Sequence, residues 1–410
     1  MRRVVITGLG AVSPVGNTAG EMFDNLMAGK SGIGSITRFD TTGMKCTVAA
    51  EVKDFDPLLY MEKNAARKMD LFSQFAMAAA VQAMEDAKLT GYDPTRLGVY
   101  VGSGIGGFHT FVSEHEKLLE KGPNRVSPHF IPMMISNLGA GNIAIRFNAQ
   151  GPCLPVVSAC STGANAVGEA LRAIQYGHAD YILAGGSEAA IEPLSIAGFC
   201  ACMALTSNSD PATACRPFDK NRDGFVMGEG AGVLLLEELE HALARGAHIY
   251  AELAGYGNTC DAHHVTAPQP EAEGAIRCLK LALAEAGLDG SEALYINAHG
   301  TSTPLNDKME TKAFKAALGE DNARNALISS TKSMTGHMLG AAGGVEALVC
   351  ALALERGQVP PTMGLAEADE ECDLNYVPGH GVEAPITAAL STSFGFGGHN
   401  AALALRKFVK

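Results

Sequence analysis

The two halves of the chain carry segments of the same character in the same order. In the first half these segments are VVITGLGAVSP, GVYVGSGIGG, VVSACSTGANA and GEGAGVLLLEELE. In the second half they are IYAELAGYG, LYINAHGTST, LISSTKSMTGH and GFGGHNAALALRKF. Each is an apolar strand that ends in small residues, or a glycine-rich turn that opens onto apolar residues. Self-similarity at this scale predicts a duplicated unit. We expect one domain over residues 1–410, with pseudo-repeats at 1–249 and 250–410.

Strand and helix patterns alternate within both halves. The apolar run at residues 155–159 is typical of a buried strand, and the helical stripe after it ends near Gly177. In the second half, a strand at residues 327–328 precedes a helical stripe that ends at Gly357. Such alternation predicts an α/β fold with a mostly parallel sheet covered on both faces. Two such halves predict an α/β/α/β/α layered sandwich.

Composition and charge exclude several classes of protein. The 410 residues are 47% hydrophobic, which suits a chain with a large core, and the formal net charge of −13 argues against nucleic acid as a partner. No run approaches the roughly 18 apolar residues of a membrane span, so no membrane association is expected. The ten cysteines show no regular spacing, which is typical of reduced thiols in a cytoplasmic protein.

Cys160 lies where a predicted strand ends and a predicted helix begins, in SACSTGAN. The unpaired N–H groups and the positive dipole end at the start of a helix favour an anion. We therefore expect the pKa of this thiol to fall, which would make it a nucleophile near neutral pH. A buried structural cysteine would show the same spacing, so this pattern alone leaves both interpretations open.

Two histidines follow predicted strands of the second half. His299 lies in NAHGTSTP and His337 in STKSMTGH, both just beyond the carboxyl end of a strand, where α/β sheets bind ligands. The internal repeat assigns the His337 segment the place that Cys160 has in the first half, so we expect the two to approach each other. Lys332 and Glu346 flank His337 and are candidates to orient an imidazole, or are ordinary charged residues.

A glycine-rich segment near the C-terminus, SFGFGGHN, surrounds Phe396 with Gly395, Gly397 and Gly398. Backbone of this kind turns sharply and aims free N–H groups at one point, as an oxyanion hole requires. The Phe396 ring is then a candidate gate. A plain hairpin turn with one exposed ring is the alternative.

These segments together resemble the β-ketoacyl-acyl-carrier-protein synthases. The resemblance rests on ACSTGAN, NAHGTSTPLND, SSTKSMTGHMLGAAGGVE, SFGFGGHNAAL and RPFDKNRDGFVMGEGAGVLLLE, the last at residues 216–237. It extends over nearly the whole chain and is strongest to the bacterial type II elongating enzymes, especially synthase II. It implies the thiolase fold, a homodimer, no required cofactor, and decarboxylative Claisen condensation of malonyl- and acyl-carrier protein, which lengthens a fatty acyl chain by two carbons.

The resemblance also implies a role for each catalytic residue. Cys160 would hold the acyl group as a thioester, and His299 and His337 would stabilise the enolate formed on loss of carbon dioxide. The backbone N–H groups of Cys160 and Phe396 would form the oxyanion hole. Lys332 would hold His337 through a hydrogen bond, with Glu346 as a nearby charge partner.

Further residues are assigned by the same resemblance. Thr301 and Thr303 would bind the phosphopantetheine arm, Ile105 would gate the acyl pocket, and Phe130 would reach the acyl tunnel of a partner subunit. Residues 155–157 would pair across that dimer. The remaining assignments are Phe394 and Gly395 for substrate binding, Lys63, Arg67, Lys68 and Arg125 for docking of acidic acyl-carrier protein, and Asn297, Glu346, Ser391 and Thr392 for a Na⁺ or K⁺ ion. Met203 stands where a related enzyme has an arginine that takes part in docking.

Several alternatives remain at this stage. Gly102, Gly104 and Gly107 fit the GxGxxG pattern of a dinucleotide-binding oxidoreductase. A thiolase or an initiating synthase would share the fold, but the His–His pattern favours decarboxylative elongation. A non-catalytic partner subunit conflicts with the intact Cys160. A stand-alone ketosynthase of a polyketide or specialised lipid pathway is the main alternative function.

Overall fold

A computed structural model describes residues 1–409 of the protein. The strands are β1 Val4–Val12, β2 Gly34–Ser35, β3 Val48–Ala49, β4 Leu97–Gly102, β5 Tyr181–Glu188, β6 Gly230–Glu238, β7 Ala251–Cys260, β8 Leu294–Asn297, β9 Leu327–Ser329, β10 Gln358–Val359, β11 Val382–Glu383, β12 Ala388–Gly395 and β13 His399–Arg406.

The α-helices are α1 Ala19–Met27, α2 Lys63–Ala66, α3 Leu71–Ala87, α4 Phe108–Lys121, α5 Phe130–Met134, α6 Leu138–Phe147, α7 Thr162–Gln175, α8 Pro193–Ala201, α9 Leu239–Ala244, α10 Glu273–Ala286, α11 Pro304–Leu318, α12 Glu320–Asn325, α13 Lys332–Thr335 and α14 Ala342–Arg356. Within residues 1–409, each helix is too short or too polar to cross a lipid bilayer.

The two helices expected from the sequence end where their glycines predict. Helix α7 ends two residues before Gly177, which has a φ of +78°, and α14 ends immediately before Gly357, which has a φ of +65°. Glycine adopts this left-handed conformation without a steric cost and so closes a helix. Both predicted helices are therefore confirmed.

The strands of each half follow the same spatial order. The large sheet has the order β4-β5-β6-β1-β7-β13-β12-β8-β9. Its two halves meet at β1 and β7 through only two residue pairs, Val5↔Glu252 and Ile6↔Ala251. Read outward from that junction, β1-β6-β5-β4 in the first half matches β7-β13-β12-β8 in the second. Beyond β8 lies β9, and beyond β4 the chain makes one matching bridge, Val99↔Cys153.

The prediction of a mostly parallel sheet is wrong. Five of the eight strand pairings are antiparallel, including β5 with β6 and β12 with β13. Residues 396–398 join β12 directly to β13, and a connection this short permits only an antiparallel return. Parallel pairing is confined to β4 with β5, β12 with β8, and β8 with β9.

The predicted buried strand at residues 155–159 is also absent from the described chain. The Leu154 N–H still donates to the Val99 carbonyl oxygen at 3.1 Å, but residues 155–158 form no strand, and Leu154 and Val157 are 47% and 55% exposed. It runs along β4 at the outer edge of the sheet, where it has a strand neighbour on one side only. An apolar run by itself does not distinguish a central strand from such an edge segment.

Helices α7 and α14 form the middle layer of the molecule. Both belong to one apolar cluster with strands of the two half-sheets. Helix α3 packs on the outer face of the first half, and α10 and α11 pack on the outer face of the second. The helices α7 and α14 approach so closely that a Cβ at Gly163 would lie 2.6 Å from the Gly344 nitrogen. This arrangement confirms the predicted α/β/α/β/α sandwich and sets the starts of both central helices side by side.

Candidate active site

Cys160 lies in a short 3₁₀ turn, Ala159–Ser161, that leads directly into α7. The turn is strained, because Ala159 has a φ of +51°, and a left-handed conformation is unfavourable for a residue with a Cβ. The Ser161 hydroxyl stabilises it by bonding to the Ser393 and His399 carbonyl oxygens, both at 3.0 Å. The cysteine is thereby fixed against the hairpin of β12 and β13.

The predicted fall in the pKa of Cys160 is wrong. Burial raises the pKa of this thiol to about 12, and the charge of Glu188 acts in the same direction. The Lys332 ammonium and nearby backbone N–H groups lower it, but by less. The partial charge at the start of a helix does not compensate for the loss of water around an enclosed sulfur. Cys160 is therefore a protonated thiol at rest.

Two backbone N–H groups lie close enough to the Cys160 sulfur to lower the pKa of its thiol. They belong to Phe396 and to Cys160 itself. The approach depends on Gly395, where a Cβ would lie 2.7 Å from the Ser158 carbonyl oxygen and 3.2 Å from the Cys160 nitrogen. Because both contacts are to backbone, neither neighbour could turn aside. The glycine thus permits the donor arrangement that the sequence predicted for an oxyanion hole.

The two predicted histidines meet edge to face. Their ring centroids are 5.3 Å apart with an interplanar angle of 88°. Phe394 packs against His299 with centroids 5.7 Å apart, and Phe225 packs against His337 at 5.1 Å. Phe225 belongs to the 216–237 signature, so the structure gives that segment a role in holding His337.

Both imidazoles are buried and electrically neutral. Burial lowers the pKa of His299 and of His337 well below the ordinary value, and the Lys332 charge adds to the effect. Neither Nδ1 atom has a hydrogen-bond partner among the residues that the structure describes. Each ring is therefore held by packing rather than by a side-chain hydrogen bond.

Lys332 is bonded to Glu346 and not to His337. The two side chains form a buried ion pair, 1% and 3% exposed, through Lys332 Nζ and Glu346 Oε1. The prediction that Lys332 holds His337 by a hydrogen bond is therefore wrong. Lys332 lies five residues before His337, and its ammonium acts on both imidazoles and on the thiol through its charge.

Glu310, which the sequence analysis did not identify, fixes the His299 loop. Its carboxylate accepts hydrogen bonds from the His299 and Gly300 N–H groups, each at 2.7 Å, and from the Thr392 hydroxyl at 2.6 Å. Burial raises the pKa of this fully buried carboxyl to about 7. The available signal was its place on α11, where Glu310 shares a helix face with the apolar Ala313 and Phe314.

Cys160, His299 and His337 line one cavity of about 390 Å³. Thr301 and Thr303 line it as well, and their hydroxyls are 2.9 Å apart. The cavity is also bounded by Phe394, Gly395 and Phe396, with Phe199, Met203, Leu305 and Met309 among the apolar residues around it. An enclosed thiol, two neutral imidazoles and two backbone donors therefore face the same space.

Comparison with known proteins agrees with this geometry. The family model described as Beta-ketoacyl synthase, N-terminal domain, matches residues 1–242, and the model for the C-terminal domain matches residues 250–366. The chain belongs to the β-ketoacyl synthase family. It is a condensing enzyme of the acyltransferase class with the thiolase fold.

Individual relatives match over their full length. The chain is 52% identical to 3-oxoacyl-[acyl-carrier-protein] synthase 2 of Synechocystis sp., covering 99% of this chain and 98% of the relative. It is 50% identical to the enzyme of the same name from Staphylococcus aureus, with 99% of both chains covered. A ketosynthase solved in complex with its type II polyketide acyl-carrier protein superimposes with a TM-score of 0.91 at 37% identity, covering 100% of both chains.

The dinucleotide-binding interpretation is wrong for this β-ketoacyl synthase. In that interpretation the turn after Gly102 would present free N–H groups to a pyrophosphate. Here the Glu188 carboxylate already accepts the N–H groups of Gly104 at 2.9 Å and Ile105 at 3.2 Å. A buried anion in this position excludes a second one.

The other residues assigned by resemblance lie at different distances from the cavity. Ile105 packs against the same apolar cluster as Cys160. Phe130 is half-buried at the start of α5 and is not among the residues that line the cavity. The four predicted docking residues are all exposed, Lys63, Arg67 and Lys68 on and beside α2, and Arg125 in a separate turn.

The residues predicted to hold a cation carry buried oxygens without a hydrogen-bond partner. These oxygens are Asn297 Oδ1, Glu346 Oε2 and Ser391 Oγ. Asn297 and Ser391 are direct neighbours across the parallel pair of β8 and β12. The fourth residue, Thr392, instead donates its hydroxyl to Glu310. A buried oxygen without a hydrogen-bond partner destabilises the fold. These three oxygens therefore fit the ligand set of a hard cation.

Proposed function

We propose that the protein elongates acyl chains by two carbons through decarboxylative condensation of malonyl-acyl-carrier protein with an acyl group held on Cys160. The observation that carries the proposal is the common cavity of Cys160, His299 and His337, with two backbone N–H groups at the sulfur. The relatives named 3-oxoacyl-[acyl-carrier-protein] synthase 2 support the same chemistry.

The first step is thioester exchange. The Cys160 sulfur attacks the acyl carbonyl, its bond to the carrier sulfur breaks, and the thiol proton leaves with the carrier thiol. Because the resting thiol is protonated, attack and proton loss are coupled. The N–H groups of Cys160 and Phe396 stabilise the tetrahedral oxyanion, and such a donor typically contributes about 3 kcal/mol to transition-state stabilisation.

The second step forms the carbon–carbon bond. The malonyl carboxylate leaves as carbon dioxide, and the resulting enolate attacks the acyl-Cys160 carbonyl. The thiolate then departs and takes one proton from solvent. Because Nδ1 of each histidine is enclosed, Nε2 is the nitrogen able to reach a substrate. Two neutral N–H donors disperse the enolate charge. No oxidation occurs, so no redox cofactor is needed.

Cysteine variants test the covalent step. Cys160→Ala should form no acyl-enzyme and no condensation product, whereas Cys160→Gln should still release carbon dioxide from malonyl-carrier protein, since both histidines remain. Peptide mapping by mass spectrometry identifies the acylated residue. Cys202→Ala is the matched control, because Cys202 lines the same cavity but is exposed. Acyl groups found on another residue would defeat the proposal.

Histidine variants test the second step separately. His299→Ala and His337→Ala should both slow decarboxylation more than they slow acylation of Cys160. The comparison needs two assays on each variant, one for carbon dioxide release and one for acyl-enzyme formation in a single turnover. Normal condensation by either variant contradicts the assigned role.

The acidic acyl-carrier protein is proposed to dock at Lys63, Arg67, Lys68 and Arg125. Their exposure leaves the charges free to attract an acidic partner, even though the net charge of the enzyme is −13. The solved ketosynthase complexed with its own acyl-carrier protein supports a partner of this kind.

Ten free cysteines are consistent with our proposal that the enzyme works in the reducing cytoplasm.

A homodimer is proposed from a concentration of exposed apolar side chains between β4 and Cys160. Exposure ranges from 40% to 79% for the large hydrophobic residues of this stretch, Phe111, Leu118, Leu119, Ile131, Ile145, Leu154 and Val157. Such a surface is typical of an interface. The unpaired edge at residues 155–157 would then pair with its copy. Sedimentation equilibrium should give twice the chain mass, and a monomer at micromolar concentration would contradict it.

A monovalent cation is proposed at Asn297, Glu346 and Ser391, next to Thr392. A bound Na⁺ or K⁺ would supply positive charge beside the buried Glu346. The test is the thermal unfolding midpoint in NaCl, KCl and choline chloride at equal ionic strength. Equal midpoints in the three salts would refute the site.

The pathway is decided by substrate preference. A stand-alone ketosynthase of a polyketide pathway is the alternative function. The 37% sequence identity to a polyketide ketosynthase supports this alternative. Saturated acyl-carrier substrates of several lengths should acylate Cys160 at least as fast as a polyketide carrier substrate. A strong preference for the polyketide carrier would favour the alternative.

A further inference from the structure

The turn that carries Cys160 has a structural counterpart in the second half. Ala159–Ser161 precedes α7, and Leu339–Ala341 precedes α14. Both turns begin at a strained residue, since φ is +51° at Ala159 and +47° at Leu339. The residue equivalent to Cys160 is therefore Gly340. His337, which the sequence assigned to this place, lies three residues earlier.

Strands β5 and β12 are also counterparts. Each has eight residues, each is parallel to one neighbour and antiparallel to the next, and their last residues are Glu188 and Gly395. Beside Cys160, Gly395 leaves the space in front of the Cys160 N–H open. In the other half, the Glu188 carboxylate fills the corresponding space, and its Oε2 accepts the Gly340 N–H at 3.0 Å.

Four donors surround the Glu188 carboxylate, which is fully buried. Oε1 accepts the Ser103 hydroxyl at 2.7 Å and the Ile105 N–H at 3.2 Å. Oε2 accepts the N–H groups of Gly104 at 2.9 Å and Gly340 at 3.0 Å. Three of the four are backbone N–H groups, which only donate. Burial raises the pKa of the Glu188 carboxyl, and these four donors oppose that rise. Their geometry suits an ionised carboxylate.

We propose that Glu188 is a positioning residue that occupies the duplicated anion site of the second half. From there it fixes the Ile105 turn and the Gly340 turn against the head of α7. It also places one negative charge near Cys160, since a Cβ at Gly104 would contact both Glu188 Oε2, at 2.9 Å, and the Ala159 oxygen, at 3.4 Å. The effect on acyl transfer rests on the proposed function, whereas the effect on the thiol does not.

The thiol is tested by alkylation of Cys160 with iodoacetamide as a function of pH. The charged groups that act on the thiol are Lys332 and Glu188. The titratable groups that line its cavity are the two imidazoles, Asp223, Asp261 and Cys202. Glu188→Gln removes a negative charge, so the alkylation profile should move to lower pH by about one unit. An unmoved profile overturns the proposal. This readout needs no carrier protein, so it remains valid if the proposed function fails.

The matched control is Glu237→Gln. Glu237 is also fully buried, but it pairs with Arg245 and lies opposite Tyr181, at the far end of β5 from Glu188. This variant should lower the unfolding midpoint without moving the alkylation profile. Equal profile shifts in the two variants would mean that loss of a buried carboxylate acts through general destabilisation, which overturns the proposal.

Acyl transfer gives the second readout. Glu188→Gln should lower kcat/KM for acyl-carrier protein on the order of tenfold, because the Ile105 turn is displaced. Glu188→Asp keeps the charge and should recover part of that loss. If Glu188→Gln does not fold, the Ser103→Ala variant provides the test. It removes one hydrogen-bond donor to the Glu188 carboxylate and keeps the negative charge of Glu188. Slower acylation at an unchanged unfolding midpoint supports the proposal, and wild-type acylation refutes it.

Discussion

Replacing Gly395 with alanine isolates the oxyanion site from the rest of the catalytic machinery. A Cβ at this position would lie 2.7 Å from the Ser158 oxygen, about 0.7 Å inside an ordinary van der Waals contact, and 3.2 Å from the Cys160 nitrogen. Gly395 does not have a positive φ, so the substitution adds no backbone strain. Its whole effect is to separate the Cys160 turn from the chain that carries the Phe396 N–H.

The expected loss follows from that displacement. Complete loss of one oxyanion donor costs about 2.7–4 kcal/mol, or on the order of 100- to 1000-fold in rate. A misplacement of about 1 Å can cost on the order of 100-fold. Because the required shift is smaller and both donors remain, we expect acyl transfer to Cys160 to slow between about 10- and 100-fold.

Two rates measured on the same variant make the test specific. Acyl-enzyme formation should fall as stated, whereas carbon dioxide release from malonyl-carrier protein, which depends on His299 and His337, should change much less. Gly20→Ala is the control, because nothing lies within 4 Å of a Cβ there and the residue is helical. It should stabilise the fold by about 0.5–1 kcal/mol and leave both rates unchanged. Undiminished acyl transfer by Gly395→Ala would refute the steric argument.

Three further outcomes are expected. Reversing the charge of Arg67 and Lys68 should raise KM for carrier protein mainly at low salt, and a low-salt KM equal to that of the wild type would remove this patch as the docking site. Lys332→Met leaves Glu346 buried without its cation and should lower the free energy of unfolding by about 3–5 kcal/mol in urea titration; a loss below about 1 kcal/mol would contradict the buried pair. The depressed pKa of His337 contributes stability that is complete above about 6.5 and is lost as pH falls, because only the unfolded chain then binds the proton. Wild-type stability should therefore fall from pH 7 to pH 5 more steeply than that of His337→Gln, and parallel curves would count against a buried neutral imidazole.

The sequence identified the candidate reacting residues but not all of the residues that position them. Cys160 directly precedes the predicted helix α7, and the two histidines follow the predicted strands β8 and β9. The structure brings the three residues to one cavity, although the strand predicted before Cys160, at residues 155–159, is absent. Glu310 and Glu188 were missed because a glutamate inside an apolar segment does not reveal its partners. Their partners are backbone N–H groups 10 to 152 residues away in the chain.

Local patterning therefore determined the α/β class and the ends of α7 and α14, and it made Cys160, His299 and His337 candidates. Their roles came from the resemblance of whole motifs to a known family. Tertiary structure alone decided the antiparallel pairing, the pairing of Lys332 with Glu346, and the direction of the Cys160 pKa shift. The physical reason is the range of the interactions. Periodicity and helix termini depend on neighbours within a few residues, whereas desolvation and buried charge depend on every segment that closes around a group.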